Sequence, residues 1–364
     1  MTVIISIHST THKKTISGFR NGINQMNIML KQIFFSLRLI ILIVPCYLSA
    51  QIQPPSPPGK LFDAGGHLLH LNIKGKGSPA VIFENGSGDF SFIWDLVQPS
   101  IAASTTTVSY DRAGFAWSEP GPLPRTGKQI AFELHQALHN AGIKGPYILV
   151  GQSFGGFLVR IFARNYRSEV AGIVLVDALN ENEKIKINNQ AVRIREMAKG
   201  RTMPPVKTGA KNNMDSSVQN EKNPLASHTS IEPPLDKLSP EDQKLQLWAQ
   251  TQFVYFKSAS SEMDWSPEDV ADMYNNKGKP DYMLADIPLI VIAKGKGYYS
   301  GLHDSTELEL QRLELQNELA HLSMNGILII DKNSGHNIHL EDAATVIHAI
   351  QEVLQAYKTH AKLK

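Results

Sequence analysis

A serine at a strand-to-helix turn is the residue best placed to do chemistry in this sequence. Gly151-Gln152-Ser153-Phe154-Gly155-Gly156 follows the apolar run Tyr147-Ile148-Leu149-Val150 and precedes a segment with helical spacing of apolar residues. Side chains at Gly151 and Gly155 would collide with the crossing strand and helix, so glycine there frees the serine to sit in a sharp, strained turn. Its hydroxyl is then presented at the strand's carboxyl end, beside the positive end of the helix dipole, the setting of a nucleophile. The alternative is a serine that merely caps the helix.

Serine is a weak nucleophile at its own pKa, so a base must lie within hydrogen-bond reach. Of 13 histidines, His336 fits best: Asn333-Ser334-Gly335-His336 leaves the apolar run Gly326 to Ile330 at the carboxyl edge expected for Ser153. His339 directly precedes the last helix and reads as structural. An acid must orient the imidazole and stabilise its protonated form. Asp177 ends the run Gly172 to Val176, expected beside the strand that bears Ser153, and is preferred. Asp304, reached from Pro288 to Ile292 by a longer path, is the alternative acid. Asn85-Gly86-Ser87-Gly88 follows another apolar run, so the backbone N–H groups of Ser87 and Phe154 are the candidate oxyanion hole.

These residues can meet only if a sheet gathers them. Leu68 to Ile73, Ala80 to Phe83, Thr106 to Tyr110, Tyr147 to Val150, Gly172 to Val176, Pro288 to Ile292 and Gly326 to Ile330 read as strands. Helical spacing at Ile130 to Leu138, Phe157 to Phe162, Ser305 to Met324 and Asp342 to Tyr357 alternates with them. That alternation predicts an α/β fold with a mostly parallel central sheet flanked by helices. The pattern breaks at residues 180–286, read as an inserted helical lid with helices at Leu245 to Phe256 and Pro267 to Tyr274. The core is expected at 61–179 and 287–364.

The first fifty residues follow another logic. Lys31 and Arg38 lead into Leu39-Ile40-Ile41-Leu42-Ile43-Val44, then Ser49 and Ala50, which reads as a signal peptide over residues 1–50 cut near Ala50. Export, periplasmic or secreted, is the expectation, with no stable membrane span after cleavage, because the apolar run is shorter than the roughly 20 residues a bilayer needs. Residues 1–25 stand possibly upstream of a natural start at Met26 or Met29. Residues 51–60 are Pro-rich and read as a linker. The single cysteine, Cys46, lies in the signal segment, so the mature chain is expected to hold no disulfide and no thiol nucleophile.

The chain has 364 residues, 42% hydrophobic and 19% charged, with a formal net charge of +2. That is globular, without the basic block interleaved with aromatics that nucleic acid would call for. No metal-ligand cluster or cofactor fingerprint is seen, so no metal and no cofactor are predicted.

Phe83-Glu84-Asn85-Gly86-Ser87-Gly88, then Tyr110-Asp111-Arg112-Ala113-Gly114-Phe115-Ala116-Trp117-Ser118, then the Ser153 turn and finally Ser334-Gly335-His336 resemble the α/β-hydrolase superfamily, in its order, from about Gly65 to Tyr357. The resemblance implies a serine hydrolase with a catalytic triad acting on a small-molecule substrate, and makes the Asp111-Arg112 segment a structural loop. Two positions depart from the pattern. Asn85 stands where many relatives carry His, and the usual Gly-x-x-Asp after the next-to-last core strand is missing; Val176-Asp177-Ala178 looks like the branches that place the acid one strand earlier. Serine in place of a carboxylate disfavours dehalogenase or epoxide hydrolase chemistry. Hydrolysis of a carboxylic ester leads, with Trp248, Phe253, Tyr255, Phe256 and Trp265 expected to supply apolar surface for the substrate. Amide or peptide hydrolysis is the runner-up, and a non-catalytic binding protein of the same fold the third reading.

Overall fold

Apolar runs without alternation, Ala80 to Phe83, Tyr147 to Val150, Val170 to Val176 and Leu289 to Ala293, are buried along their whole length, as strands covered by helices on both faces must be. In a computed structural model describing residues 54–209, 224, 230–280 and 282–363, they form the middle of one eight-stranded sheet. The proposed signal peptide and its cut site lie outside the described residues. The strands in chain order are β1 (Lys60–Asp63), β2 (Leu68–Lys74), β3 (Ala80–Glu84), β4 (Thr107–Tyr110), β5 (Tyr147–Gln152) and β6 (Val170–Val176). A separate hairpin, β7 (Lys184–Ile187) and β8 (Gln190–Arg193), precedes β9 (Leu289–Lys294) and β10 (Gly326–Asp331). Their order across the sheet is β1-β2-β4-β3-β5-β6-β9-β10. Only β2 runs against its neighbours.

Side chains alternate between two cores, one on each face. Ile82, Leu149, Ile173, Leu175 and Val291 meet α2 (Gly127–Asn140) and α3 (Phe154–Asn165) on one side. Val81, Val150, Val174, Val176 and Ile292 meet α1 (Gln98–Ala102) and α8 (Ala343–Thr359) on the other. Between them in sequence come α4 (Pro240–Gln250), α5 (Phe253–Asn275), α6 (Ser305–Ala320) and the short α7 (Ile338–Glu341).

Register decides where the site forms. Glu84 pairs with Gly151, Gln152 with Val176, Val176 with Ile292 and Asp331 with Lys294, so β3, β5, β6, β9 and β10 all end at one edge. The residues that follow those ends are Asn85 to Ser87, Ser153, Asp177 and the loop to His336.

The expectation of a helical insertion is corrected in its first half. Lys184-Ile185-Lys186-Ile187 alternates with period two, and Asn188 and Asn189 take φ of +48° and +58°, the geometry of a tight hairpin turn. The second half is helical, but its boundaries differ: the break falls at Thr251 and Gln252, and α5 runs straight through Pro267. Proline there leaves the carbonyl of Met263 without its helical donor. The Ser266 hydroxyl donates to that carbonyl at 3.1 Å, which keeps the turn closed. Among the described residues no helix is long and apolar enough to cross a membrane.

Candidate active site

Ser153 adopts φ +54° and ψ −121°, a strained conformation for a residue with a side chain. Three backbone bonds hold it there: its N–H donates to Val176 O at 3.0 Å, and its carbonyl accepts from Gly156 and Leu179 at 3.1 and 3.0 Å. The glycines around it have no room for a methyl group. A Cβ on Gly151 would lie 2.5 Å from Gly155 O, and one on Gly155 would lie 2.5 Å from both Glu84 O and Asn85 O. Gly155→Ala therefore pushes helix α3 off the loop that carries Ser87. The expected result is a folded or partly folded protein with any hydrolytic turnover at Ser153 reduced at least a hundredfold, the order of loss when a hydrogen-bond donor at a reacting centre is displaced; parallel circular dichroism and activity assays check it.

Ser153, His336 and Asp177 come together, although 183 and 159 residues separate the pairs. His336 Nε2 lies 2.9 Å from Ser153 Oγ and its Nδ1 lies 2.6 Å from Asp177 Oδ2. The His336 side chain is 45% exposed while that of Asp177 is 3% exposed, so the imidazole faces the cavity and the acid stands behind it. Asp177 also has positive φ, +41°, with its N–H bonded to Ile292 O at 2.7 Å. Burial raises its carboxyl pKa, but the His336 hydrogen bond and the Lys294 ammonium outweigh burial and hold it down at about 2. Asp304 is elsewhere: it precedes α6, its side chain is 69% exposed, and its nearest charged neighbour is His303 at 3.8 Å. His339 is fully buried against the Trp94 ring at 4.7 Å, and burial, with His336 nearby, pushes its pKa down to about 3.

The three groups open onto a cavity of about 340 Å³ that Ser87 and Phe154 also line. Phe154 is the first residue of α3, where a helical N–H has no partner within the helix. The loop with Ser87 is fixed from behind by Arg112, which is fully buried. Its NH1 donates to Asn85 O and its NH2 to Gly86 O, both at 2.8 Å; NH1 also meets Glu84 at 2.9 Å, and Nε meets Glu262 on α5 at 3.1 and 3.2 Å. Those bonds tie the carbonyls of Asn85 and Gly86 to the guanidinium and fix the path of the loop. Asn85 is buried and braces the loop by donating to Tyr110 O at 2.7 Å and accepting from Trp94 Nε1 at 3.0 Å. Asp111 serves the same frame, accepting from Ser91 N and meeting His70 Nδ1, each at 2.7 Å.

The expected apolar lining needs correction. Trp248 packs on Trp117 at 5.3 Å, Tyr255 on Phe90 and Phe115 at 5.1 Å each, and Phe253 faces Phe256 at 6.2 Å. Trp265 carries the Arg201 guanidinium at 4.0 Å. None of the five lines the cavity; Leu179, Ile185, Ile194 and Met263 do, from the hairpin segment and from α5. Sequence reasoning also missed three charged groups. Glu183 and Lys294 line the cavity, and Arg312 on α6 reaches Asp177 at 3.4 Å. Burial, reinforced by Asp177, pushes Glu183 up to about 7. The signal for Lys294 was visible: it is the one charged residue in the strand Leu-Ile-Val-Ile-Ala-Lys, at the end where the carboxyl termini of the strands converge.

Comparison with known proteins agrees on the fold. The chain is 33% identical over 129 residues to the "probable transporter efuK" of Hormonema carpetanum, covering 33% of this chain and 18% of that protein. The chain spans less than half the length of the curated relatives it matches. Among solved structures it is similar to a thermophilic esterase from Thermogutta terrifontis, at TM-score 0.55 and 18% identity over 82% of this chain and 99% of that one. It is also similar to a variant of the epoxide hydrolase of Vigna radiata, at TM-score 0.58 and 14% identity over 81% and 98%. The sequence profile described as "alpha/beta hydrolase fold" matches residues 79–343, well over half of the chain. Profile, strand order and the carboxyl-edge cavity agree, and the chain belongs to the alpha/beta hydrolase fold family.

Proposed function

We propose that the protein is a serine hydrolase that cleaves a carboxylic ester through an acyl-enzyme. The observation that carries the reading is the unbroken chain of contacts from Ser153 Oγ through His336 to Asp177 at the wall of a half-open cavity. His336 Nε2 takes the proton as Ser153 Oγ adds to the ester carbonyl, and the N–H groups of Ser87 and Phe154 receive the oxyanion. The imidazolium returns that proton to the departing alcohol. Water then attacks the acyl-enzyme by the same route and frees Ser153. Asp177 holds the imidazole in the tautomer that needs its Nδ1 protonated. The fold alone also accommodates epoxide opening, as the Vigna radiata neighbour indicates, but that chemistry asks for a carboxylate where this chain has Ser153.

Residues 180–286 act in this reading as the lid that selects the acyl part. At about 340 Å³ the cavity is at the small end of ligand pockets, and its side walls are Leu179, Ile185, Ile194 and Met263. Each buried methylene contributes about 0.8 kcal/mol, or about fourfold in kcat/KM. A panel of p-nitrophenyl esters is expected to climb by about that factor per carbon from acetate, then level off once the cavity is filled. Aminoacyl nitroanilides are the contrast: faster turnover of these than of any ester would replace ester hydrolysis by amide hydrolysis, and inertness toward both would favour a binding protein.

A further inference from the structure

Asp177 is held by more than the histidine it orients. Its Oδ2 accepts from His336 Nδ1 at 2.6 Å and from Lys294 Nζ at 2.7 Å. Its Oδ1 accepts from the Lys294 backbone N–H at 3.2 Å and from Arg312 NH1 at 3.4 Å. Lys294 thus grips the carboxylate by both its amide and its ammonium, and it is almost fully buried, with 5% of its side chain exposed. Burying an ammonium is costly, and only a close carboxylate repays it. Arg312 closes the arrangement from α6: its NH2 donates to Lys294 O at 2.8 Å and its Nε pairs with Glu309 at 2.9 Å. The Lys294 ammonium faces the Tyr298 ring at 4.8 Å, and Glu183 stands on the cavity side of the same cluster. One carboxylate therefore meets two fixed cations and one imidazole.

Resting on the proposed hydrolase reading, we propose that Lys294, seconded by Arg312, is a positioning residue: it pins the Asp177 carboxylate toward His336 and, by its charge, keeps that imidazole free to act as a base at lower pH. The first effect is geometric. With both oxygens engaged, the carboxylate cannot rotate away when the proton moves onto His336. The second is electrostatic. A like charge nearby disfavours the protonated imidazole, so the pair reaches its inactive, fully protonated form only in more acid solution. The groups that face Asp177 are Lys294 and its amide from β9, Arg312 from α6, His336 from the loop after β10 and Glu183 from the segment after β6; those that act on the His336 ring are Asp177, Glu183, Asp89 from the loop after β3 and the buried His339 of α7. Glu309 faces Arg312 and is neutralised by it.

The test is the pH dependence of p-nitrophenyl butyrate hydrolysis, with the fluorophosphonate reaction rate of Ser153 as a second readout. In Lys294→Met, kcat is expected to fall at least tenfold with KM within about a factor of two, and the acid limb of kcat/KM to move up by about one pH unit, the usual size of a neighbouring-charge effect. Lys294→Gln keeps a hydrogen-bond donor without the charge. It is expected to recover most of kcat while leaving the acid limb displaced, which a purely structural lysine would not do, and it serves alone if the methionine variant fails to fold. Because burial pushes Glu183 up to about 7 and Asp89 up to about 6, both variants are repeated with Glu183→Gln and, separately, with Asp89→Asn present, where the displacement is expected to persist. An acid limb that stays at the wild-type position, or moves to lower pH, in a folded variant overturns the proposal. A wild-type protein inert to the fluorophosphonate overturns instead the hydrolase reading beneath it.

Discussion

Ser153→Ala is expected to lower ester turnover by about 10⁴-fold or more and to erase fluorophosphonate labelling, while the protein remains folded. The size follows from the way such groups act: nucleophile, base and acid work as a unit, so removing the nucleophile forfeits nearly everything except what oxyanion binding retains. Two other serines, Ser87 and Ser266, line the cavity. Ser266 is already committed to the Met263 carbonyl, and His336 Nε2 is directed at Ser153. Neither is expected to substitute. Thermal unfolding supplies the internal control: Ser153→Gly removes the penalty of φ +54° at this position and is expected to raise stability by about 1 kcal/mol while being equally inactive. A labelled, active Ser153→Ala protein would dissolve the assignment of the nucleophile.

The second large effect separates the two candidate acids. Asp177→Asn is expected to reduce kcat by about 10⁴-fold, because an amide cannot hold the imidazole in the required tautomer or balance its charge. It also strips the buried Lys294 of its counter-charge, and removing one partner of a buried pair costs about 3–5 kcal/mol. Chemical denaturation should therefore show a lower midpoint together with the lost turnover. Asp304→Asn is expected to change neither, since its side chain is 69% exposed and no closer than 3.8 Å to a charged neighbour. The reverse outcome, with Asp304→Asn crippled and Asp177→Asn active, would move the acid to the other strand.

Most of the sheet was legible because a strand covered on both faces must be apolar throughout, and Val-Ile-Leu runs such as those of β5, β6 and β9 have few other uses. The turn at Ser153 was legible because its glycines answer a steric demand of fixed spacing. What the sequence hid was of two kinds. Local pattern was overlooked at Lys184 to Arg193, where a period-two alternation around two asparagines encodes a hairpin, and at Pro267, whose helix survives because the preceding serine replaces the lost donor. Long-range pairing was beyond reach: nothing near Lys294 announces Asp177, 117 residues earlier, and nothing near Trp248 announces Trp117. Aromatic residues in an insertion are as useful for fastening it to the core as for meeting a ligand, and here Trp248 and Tyr255 fasten it.

Arg112 makes that fastening matter for chemistry. One guanidinium is shared between a carboxylate on α5, in the segment that shapes the cavity, and two carbonyls of the loop that carries Ser87. The insertion that walls the cavity is consequently wired to the loop after β3. An exchanged insertion that brings no anion to the place of Glu262 leaves the buried Arg112 with Glu84 as its remaining carboxylate partner and takes the acceptor from its Nε. Changes to the cavity wall are then best made in the hairpin, sparing the helical turn that carries Glu262.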